Sequence, residues 1–263
     1  MEKRVEFYKY HGAGNDFIMI DCRSLDELFF STQRVAFLCD RHFGIGADGL
    51  ILLLKDNKTK FRMKYFNSDG AEGSMCGNGG RCITAFARDL GIVTEKAVFS
   101  GIDGLHHANI LSPDMVSLKM IDVKGVKEFD DGYLIDTGSP HFVTFRENLS
   151  ETDVLNEGRE IRHQSRFSNS GANVNFVEPI SSGSFKIRTF ERGVENETLA
   201  CGTGSVASAI SSYFRQKPDK SSYTVEAQGG MLSVRFTPHN NGSYTDVWLE
   251  GPVKFVFKGE ILV

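Results

Sequence analysis

Two short stretches carry the same unusual order of residue types: "SMCGNGGRCITAF" (74–86) and "LACGTGSVASAI" (199–210) each set a cysteine before Gly-x-Gly and then an apolar helical pattern. After Cys76, residues Ile83, Phe86, Ala87 and Leu90 fall on one helix face with Gly91 as a stop; after Cys201, Val206, Ala209, Ile210 and Tyr213 do so, with Pro218 beyond. A helix start exposes unpaired N–H groups and the positive end of the macrodipole, so each stretch is a seat for an anion such as a carboxylate. The glycines let backbone approach that anion closely. The same field favours thiolate at the lip: a thiol of pKa ~8.5 is about 3% ionised at pH 7, and a drop of roughly 1.5 units makes it about half ionised. Two such groups on opposite faces of one carbon can take a proton from one side and return one from the other, which inverts a stereocentre. The carbanion formed beside a carboxylate then needs converging N–H donors, each typically contributing about 2.7–4 kcal/mol. Closure that excludes water strengthens them.

The elements that must hold these cysteines are mostly strands. Short β-branched or aromatic runs bounded by turn residues occur at 17–21, 49–54, 61–66, 132–138, 141–145, 174–178, 185–190, 232–236 and 253–257, and 21 phenylalanines are available to fill a sheet core. A third helix is expected over "STQRVAFLCDRHFG" (31–44), from a Ser/Thr cap to Gly44. The stretch 111–131 is the expected midline, because a fresh run of strands follows it. The chain therefore reads as two similar halves, 1–120 carrying Cys76 and 121–263 carrying Cys201, each with strands and one principal helix introduced by a cysteine. No low-complexity tether joins them, and the two cysteines are expected to face each other across the seam.

Composition excludes several other classes. A net charge of -4 with 40% hydrophobic and 24% charged residues describes an ordinary soluble globular protein without the basic excess that favours nucleic acid. The start lacks an apolar signal region and "LILLL" (50–54) is too short to span a bilayer, so no membrane partner and a cytoplasmic location are expected. Five cysteines with no CxxC pair argue for reduced thiols rather than a disulfide framework or zinc ribbon, and the one adjacent histidine pair, His106–His107, points to opposite faces on a strand. No metal site is expected.

Taken one at a time, the remaining polar positions have ordinary readings. Asn15 and Asn67 suit Asx turns, Glu191–Arg192 a solvated strand edge, His141 a satisfied core histidine, and "GIGADG" a tight loop that does not match the dinucleotide fingerprint. Cys22, Cys39 and Cys82 read as core or surface thiols.

In order, "HGAGNDF" (11–17), "RHFGIGADGL" (41–50), "FNSDGAEGSMCGNGGRC" (66–82), "GSPH" (138–141), "GANVNFVE" (171–178) and "FERGVENETLACGTG" (190–204) make the chain resemble the diaminopimelate epimerase family nearly end to end. The resemblance implies an α+β fold of two pseudo-symmetric halves, each a curled mixed β-sheet around a central helix, with the last strand, about 253–263, returning to the N-terminal half. It implies an epimerase that interconverts LL- and meso-diaminopimelate without pyridoxal phosphate or any other cofactor, on the route to lysine and peptidoglycan precursors, and a homodimer. It further implies that Cys76 and Cys201 are the thiol/thiolate pair, with Cys201 the base in the LL-to-meso direction, and that His141 and Glu191 tune the thiols. By the same resemblance Asn15, Asn67, Asn173, Glu191 and Arg192 hold the substrate, with Gly77–Asn78 and Gly202–Thr203 as the helix-start seats. Such side chains suit a molecule with two amino-acid ends, supplying carboxylate donors, ammonium acceptors and a bidentate clamp.

Three features depart from the family pattern. Ser139 stands where many members have Asn, Gly49 where some have a Gln contact, and the stretch from Arg192 to Cys201 is one residue longer than in some. A two-cysteine proline or hydroxyproline racemase is the nearest competing reading, and a redox protein whose thiols form a reversible disulfide is a more distant one. Oxidation to a Cys76–Cys201 disulfide is expected if closure brings their Cα atoms within about 7 Å.

Overall fold

The structure is a computed structural model that describes residues 4–167 and 171–262. Its chain forms two compact units: residues up to Leu118 together with those from Pro252 onward, and Lys119–Gly251. In the first lie β1 (Arg4–Gly12), β2 (Asn15–Asp21), α1 (Thr32–Cys39), β3 (Gly49–Leu54), β4 (Arg62–Asn67), α2 (Gly77–Asp89), β5 (Lys96–Gly101), β6 (Gly104–Ser112), β7 (Met115–Lys119) and the C-terminal β17 (Lys254–Leu262). The second holds β8 (Lys127–Phe129), β9 (Gly132–Asp136), β10 (Pro140–Phe145), α3 (Val154–Arg162), β11 (Asn173–Ser181), β12 (Ser184–Glu191), β13 (Asn196–Thr198), α4 (Gly202–Gln216), β14 (Ser222–Ala227), β15 (Gly230–Pro238) and β16 (Tyr244–Pro252).

Strand pairing repeats from one unit to the other. The first unit runs β17–β1–β2–β3–β4–β5–β6–β7, with only β2–β3 and β4–β5 parallel. The second runs β8–β9–β10–β11–β12–β14–β15–β16, with only β10–β11 and β12–β14 parallel. Position by position the two ladders share one order of parallel and antiparallel pairs, and β17 takes in the first unit the place that β8 takes in the second. Each parallel pair is bridged by a helix, as parallel neighbours require: α1 and α3 span the first, α2 and α4 the second.

Burial follows from this layering. All six residues of β3 are buried, because α1 covers one face of its sheet and α2 the other. Alternation sends Ile18, Ile20, Leu50, Leu52 and Leu54 towards Val35, Leu38 and Cys39 of α1. In the second unit Phe142, Val174, Phe176 and Phe190 pack with Val154 of α3, so the intervening positions of β10 and β11 face α4. Buried apolar, small and polar residues alike line α2 from Gly77 to Ala87 and α4 over most of Gly202–Ser212, as suits a helix enclosed by its sheet.

The sequence expectation differs from this structure in definable ways. The helix expected over 31–44 is α1 alone: the Asp40 carboxylate accepts from the N–H groups of His42 and Phe43 at 2.7 and 2.8 Å, an Asx turn that ends the helix before Gly44. The midline stretch contains β7 and β8. Strand β1 and helix α3 also go beyond the pattern reading; α3 includes Gly158 because a Cβ there would lie 2.4 Å from Phe190 Cβ.

The ring of Phe86, fully buried on α2, sits 5.0 Å from Tyr8 and 5.8 Å from Tyr10 of β1. Truncation by Phe86→Ala leaves a cavity under the helix that presents Cys76. A loss of about 3–5 kcal/mol is expected in urea unfolding, where a change under 1 kcal/mol would show that this contact does not anchor α2.

Candidate active site

In both units the longer helix starts at a cysteine. Cys76 is the N-cap of α2 with φ -106° and ψ 119°, and Cys201 the N-cap of α4 with φ -112° and ψ 113°. Each lends its carbonyl to the first helical turn, accepting from Gly80 N–H at 2.8 Å and Ser205 N–H at 2.9 Å. Cys76 Sγ also accepts from Gly79 N–H at 3.5 Å, replacing the oxygen that Ser, Asp or Asn usually provides there. Both thiols therefore lie in the field of a helix start.

Around Cys76 the first unit assembles a polar chain. Cys76 S–H donates to Asn15 Oδ1 at 3.8 Å, and Asn78 Nδ2 donates to the same oxygen at 3.2 Å. Asn15 Nδ2 donates to Asp48 Oδ2 at 2.7 Å, which fixes the amide so that its oxygen faces the sulfur. Behind it, Arg41 bridges Asp16 and Asp48 with 2.7 Å contacts, and Lys9 pairs with Asp16 at 2.7 Å while donating to Gly46 O. Burial alone would raise the Asp16 carboxyl, but hydrogen bonds from Arg41 and Lys9 outweigh it and hold the group ionised far below its ordinary range. The fully buried Arg81 supports the seat from beneath, donating to Asn78 Oδ1 at 2.8 Å and Gly77 O at 3.4 Å.

The second unit builds a different environment round Cys201. Thr203 Oγ1 lies 3.5 Å from Cys201 Sγ and 2.9 Å from His141 Nε2, and the Thr203 carbonyl accepts from Thr137 Oγ1 at 3.1 Å. His141 Nδ1 lies 3.1 Å from Asn175 Nδ2. Burial drives the His141 pKa down to about 3, aided by the Arg192 charge, so the imidazole is neutral across the physiological range. Asn173 Nδ2 donates to Ser139 Oγ at 2.9 Å and Pro140 O at 3.1 Å, while its Oδ1 accepts from Arg192 N–H at 2.9 Å. Arg192 Nη2 donates to Ser139 Oγ at 3.3 Å, and Glu191 Oε2 accepts from Thr198 Oγ1 at 2.8 Å.

The expected positions thus gather as two clusters, Asn15, Cys76, Gly77 and Asn78 in one and His141, Asn173, Glu191, Arg192, Cys201, Gly202 and Thr203 in the other. Asn67 ends β4 exposed, its backbone closing a turn with Gly70 and Ala71. Two of the three departures from the family pattern, Ser139 and Gly49, have a physical role. Ser139 is the shared acceptor of Asn173 and Arg192. At Gly49 a Cβ would meet Phe66 O and a Tyr65 ring carbon at 2.6 Å, so Tyr65 occupies the space a longer residue would need. Asp48, Arg81 and Asn175 were not reached from sequence, although Asp48 lies in the "GIGADG" loop and Asn175 shares a strand face with Asn173.

Among solved structures, a Bacillus anthracis phenazine biosynthesis protein of the PhzF family matches with a TM-score of 0.79 at 16% identity, over 99% of this chain and 100% of that one. A hydroxyproline epimerase from Agrobacterium vitis matches with 0.71 at 15%, over 99% and 93%. At these identities the likeness is one of fold, and it defines the class: a two-unit α+β protein of the type found in PhzF-family proteins and proline-type racemases. Sequence narrows this further. The family model described as Diaminopimelate epimerase matches residues 7–110 and 133–256. A diaminopimelate epimerase of Flavobacterium psychrophilum is 49% identical over 257 residues, 98% of this chain and 100% of the relative. One from Chlorobaculum tepidum is 43% identical over 262 residues, 95% and 98% of the two chains. The chain belongs to the diaminopimelate epimerase family.

Buried His141 makes stability depend on pH in a defined direction. Its folded pKa of about 3 lies below the unfolded value near 6.5, so the unfolded chain binds a proton that the folded chain refuses between those limits. Above about pH 6.5 the group adds no pH dependence; as pH falls from 6 to 5, it removes about 1 kcal/mol of stability. Urea unfolding should show a steeper acid loss for the native chain than for His141→Gln, and equal slopes would contradict the neutral assignment.

Proposed function

We propose that this enzyme interconverts LL- and meso-diaminopimelate by two-base proton transfer, one thiolate taking the α-proton while the other thiol supplies a proton to the opposite face. The observation that carries this reading is the paired architecture: the longer helix of each unit has a cysteine as N-cap, followed by Gly-x-Gly. Family membership adds the substrate, since the aligned relatives are named diaminopimelate epimerases.

In the LL-to-meso direction Cys201 is the base. Its thiolate accepts the α-proton to become a thiol, the electron pair passes into the α-carboxylate, and Cys76 gives its thiol proton to the other face, ending as thiolate. The next turnover in the reverse direction begins from that state. Backbone N–H groups at Gly77–Asn78 and Gly202–Thr203 carry the added charge on the carboxylate oxygens, where such donors are most effective. Asn15, Asn67, Asn173, Glu191 and Arg192 bind the remaining polar groups, with Glu191 taking an ammonium and Arg192 a carboxylate. His141 and Glu191 tune the thiols. The enzyme works as a homodimer in the cytoplasm without an organic cofactor or metal. Among the described residues no helix is long and apolar enough to cross a membrane.

Incubation of the reduced protein with LL-diaminopimelate, without added pyridoxal phosphate, should give the meso isomer on chiral separation. Inversion of proline or hydroxyproline in its place would move the reading to the ring-substrate racemases. Cys76→Ala and Cys201→Ala should each lower kcat by at least about 1000-fold with the circular dichroism of the parent, in keeping with loss of an essential acid–base group. Retention of most activity by either variant would exclude the two-thiol mechanism.

A further inference from the structure

The internal repeat lets the surroundings of the two cysteines be compared rung by rung. Across β2–β3 Phe17 faces Gly49, and across β10–β11 His141 faces Asn173, so Phe17 and His141 are equivalent, as are Gly49 and Asn173. Two residues further along, Ile51 of β3 is equivalent to Asn175 of β11. Contacts with the helices agree: a Cβ on Gly79, third after Cys76, would meet Ile51 Cδ1 at 2.9 Å, and one on Gly204, third after Cys201, would meet Asn175 Oδ1 at 2.3 Å. The same structural place is filled by an apolar Phe17–Ile51 pair beneath Cys76 and by a fully buried polar His141–Asn175 pair beneath Cys201. Since the apolar version builds the fold, the polar version, which costs desolvation, is there for another reason.

Its hydrogen bonds have only one consistent polarity. Asn175 Nδ2 also donates to the Phe142 carbonyl at 3.2 Å, and Asn175 Oδ1 accepts from Thr189 Oγ1 at 3.0 Å, so the amide cannot be turned over without setting oxygen against oxygen. The second N–H of that amide is therefore directed at His141 Nδ1, which must accept. A neutral imidazole that accepts at Nδ1 carries its proton on Nε2 and donates it to Thr203 Oγ1. Asn173 Nδ2, 3.5 Å from the same Nε2, does not compete, because its hydrogens are taken by Ser139 Oγ and Pro140 O. The Thr203 hydroxyl, having accepted, has its own proton for Cys201 Sγ.

We propose that Asn175 is a positioning residue that locks His141 in the Nε2–H tautomer, so that the Thr203 hydroxyl donates to Cys201 and stabilises its thiolate. No proton is transferred along this chain. Its effect is to fix the direction of each hydrogen bond, and it leaves Cys76, which donates to Asn15 Oδ1, without an equivalent. The catalytic part of the inference rests on the two-thiol function proposed above, but the tautomer does not.

The test uses the full-length protein labelled with 15N-histidine, the His141 resonances being those lost in His141→Gln. Two-bond 1H–15N correlation spectra at pH 7 should show a neutral Nε2–H imidazole; a Nδ1–H tautomer or an imidazolium overturns the proposal whatever the substrate. In the isosteric Asn175→Asp, a carboxylate acceptor should move the proton to Nδ1 and reverse the chain. With diaminopimelate, kcat should then fall about 10-fold to 100-fold with little change in KM, and iodoacetamide should alkylate Cys201 more slowly while Cys76 keeps its rate. An unchanged kcat together with an unchanged Cys201 rate contradicts the positioning role. If Asn175→Asp does not fold, Asn175→Leu, which takes its apolar character from Ile51 in the repeat, serves instead: Cys201 alkylation must slow there too, and an unaltered rate overturns the proposal.

Discussion

A cysteine at the first position of a buried helix is the constraint on which the rest of this protein depends. The N-cap place normally belongs to a side-chain oxygen, and a sulfur there makes a longer, weaker cap: Cys76 Sγ accepts from Gly79 N–H at 3.5 Å. What it gains is position in the field of several unpaired N–H groups, where negative charge on sulfur or on a nearby carboxylate is favoured. Fixing the sulfur requires the helix to be immobile. The sheet achieves this by curling so that most of its strands contact one helix, as α2 touches β1, β2, β3, β4 and β6, and α4 touches β9, β10, β11, β12, β14 and β15.

The repeated strand order supplies the second seat, and different residues make the two seats unequal. Both ladders have the same order of parallel and antiparallel pairs, down to the exchange in which the C-terminal strand β17 completes the first unit. Within that shared frame Phe17 and Ile51 correspond to His141 and Asn175, and Gly49 corresponds to Asn173. The first seat takes its polarity from Asn15 and the carboxylates of Asp16 and Asp48. The second takes it from a buried neutral chain. A reversible reaction run by one thiol and one thiolate has use for such a difference, since two identical seats would give neither sulfur a preferred protonation state.

The two Cys-Gly-x-Gly helix starts were legible because spacing and turn chemistry are local properties, and the nine strand runs read from composition fall on β2, β3, β4, β9, β10, β11, β12, β15 and β17. Strands such as β6 and β16 were not, because charged, polar and apolar residues mix along their partly exposed faces and leave no short apolar or aromatic run, although turn residues flank both. The end of α1 was missed because Asp40 captures the next two N–H groups with its side chain, a competition that helix periodicity does not report. In the site, Asn15, His141, Asn173 and Arg192 came from motifs matched in order along the chain. Asn175, Asp48 and Arg81 act through another residue rather than standing at a motif's centre, and only the strand register and the hydrogen bonds reveal them. Side-chain contacts also account for two of the positions that depart from the family pattern, with Tyr65 filling the space above Gly49 and Ser139 joining Asn173 to Arg192.

The claim that two sulfurs act from opposite faces is tested most directly by following LL-diaminopimelate in D2O at low conversion, with proton NMR of the α-position and chiral separation of the isomers. Two bases predict meso product that carries deuterium at the inverted centre, while recovered LL substrate keeps its proton. A single base working on both faces would return the original proton to the product, and protium retained at the inverted centre would contradict the account.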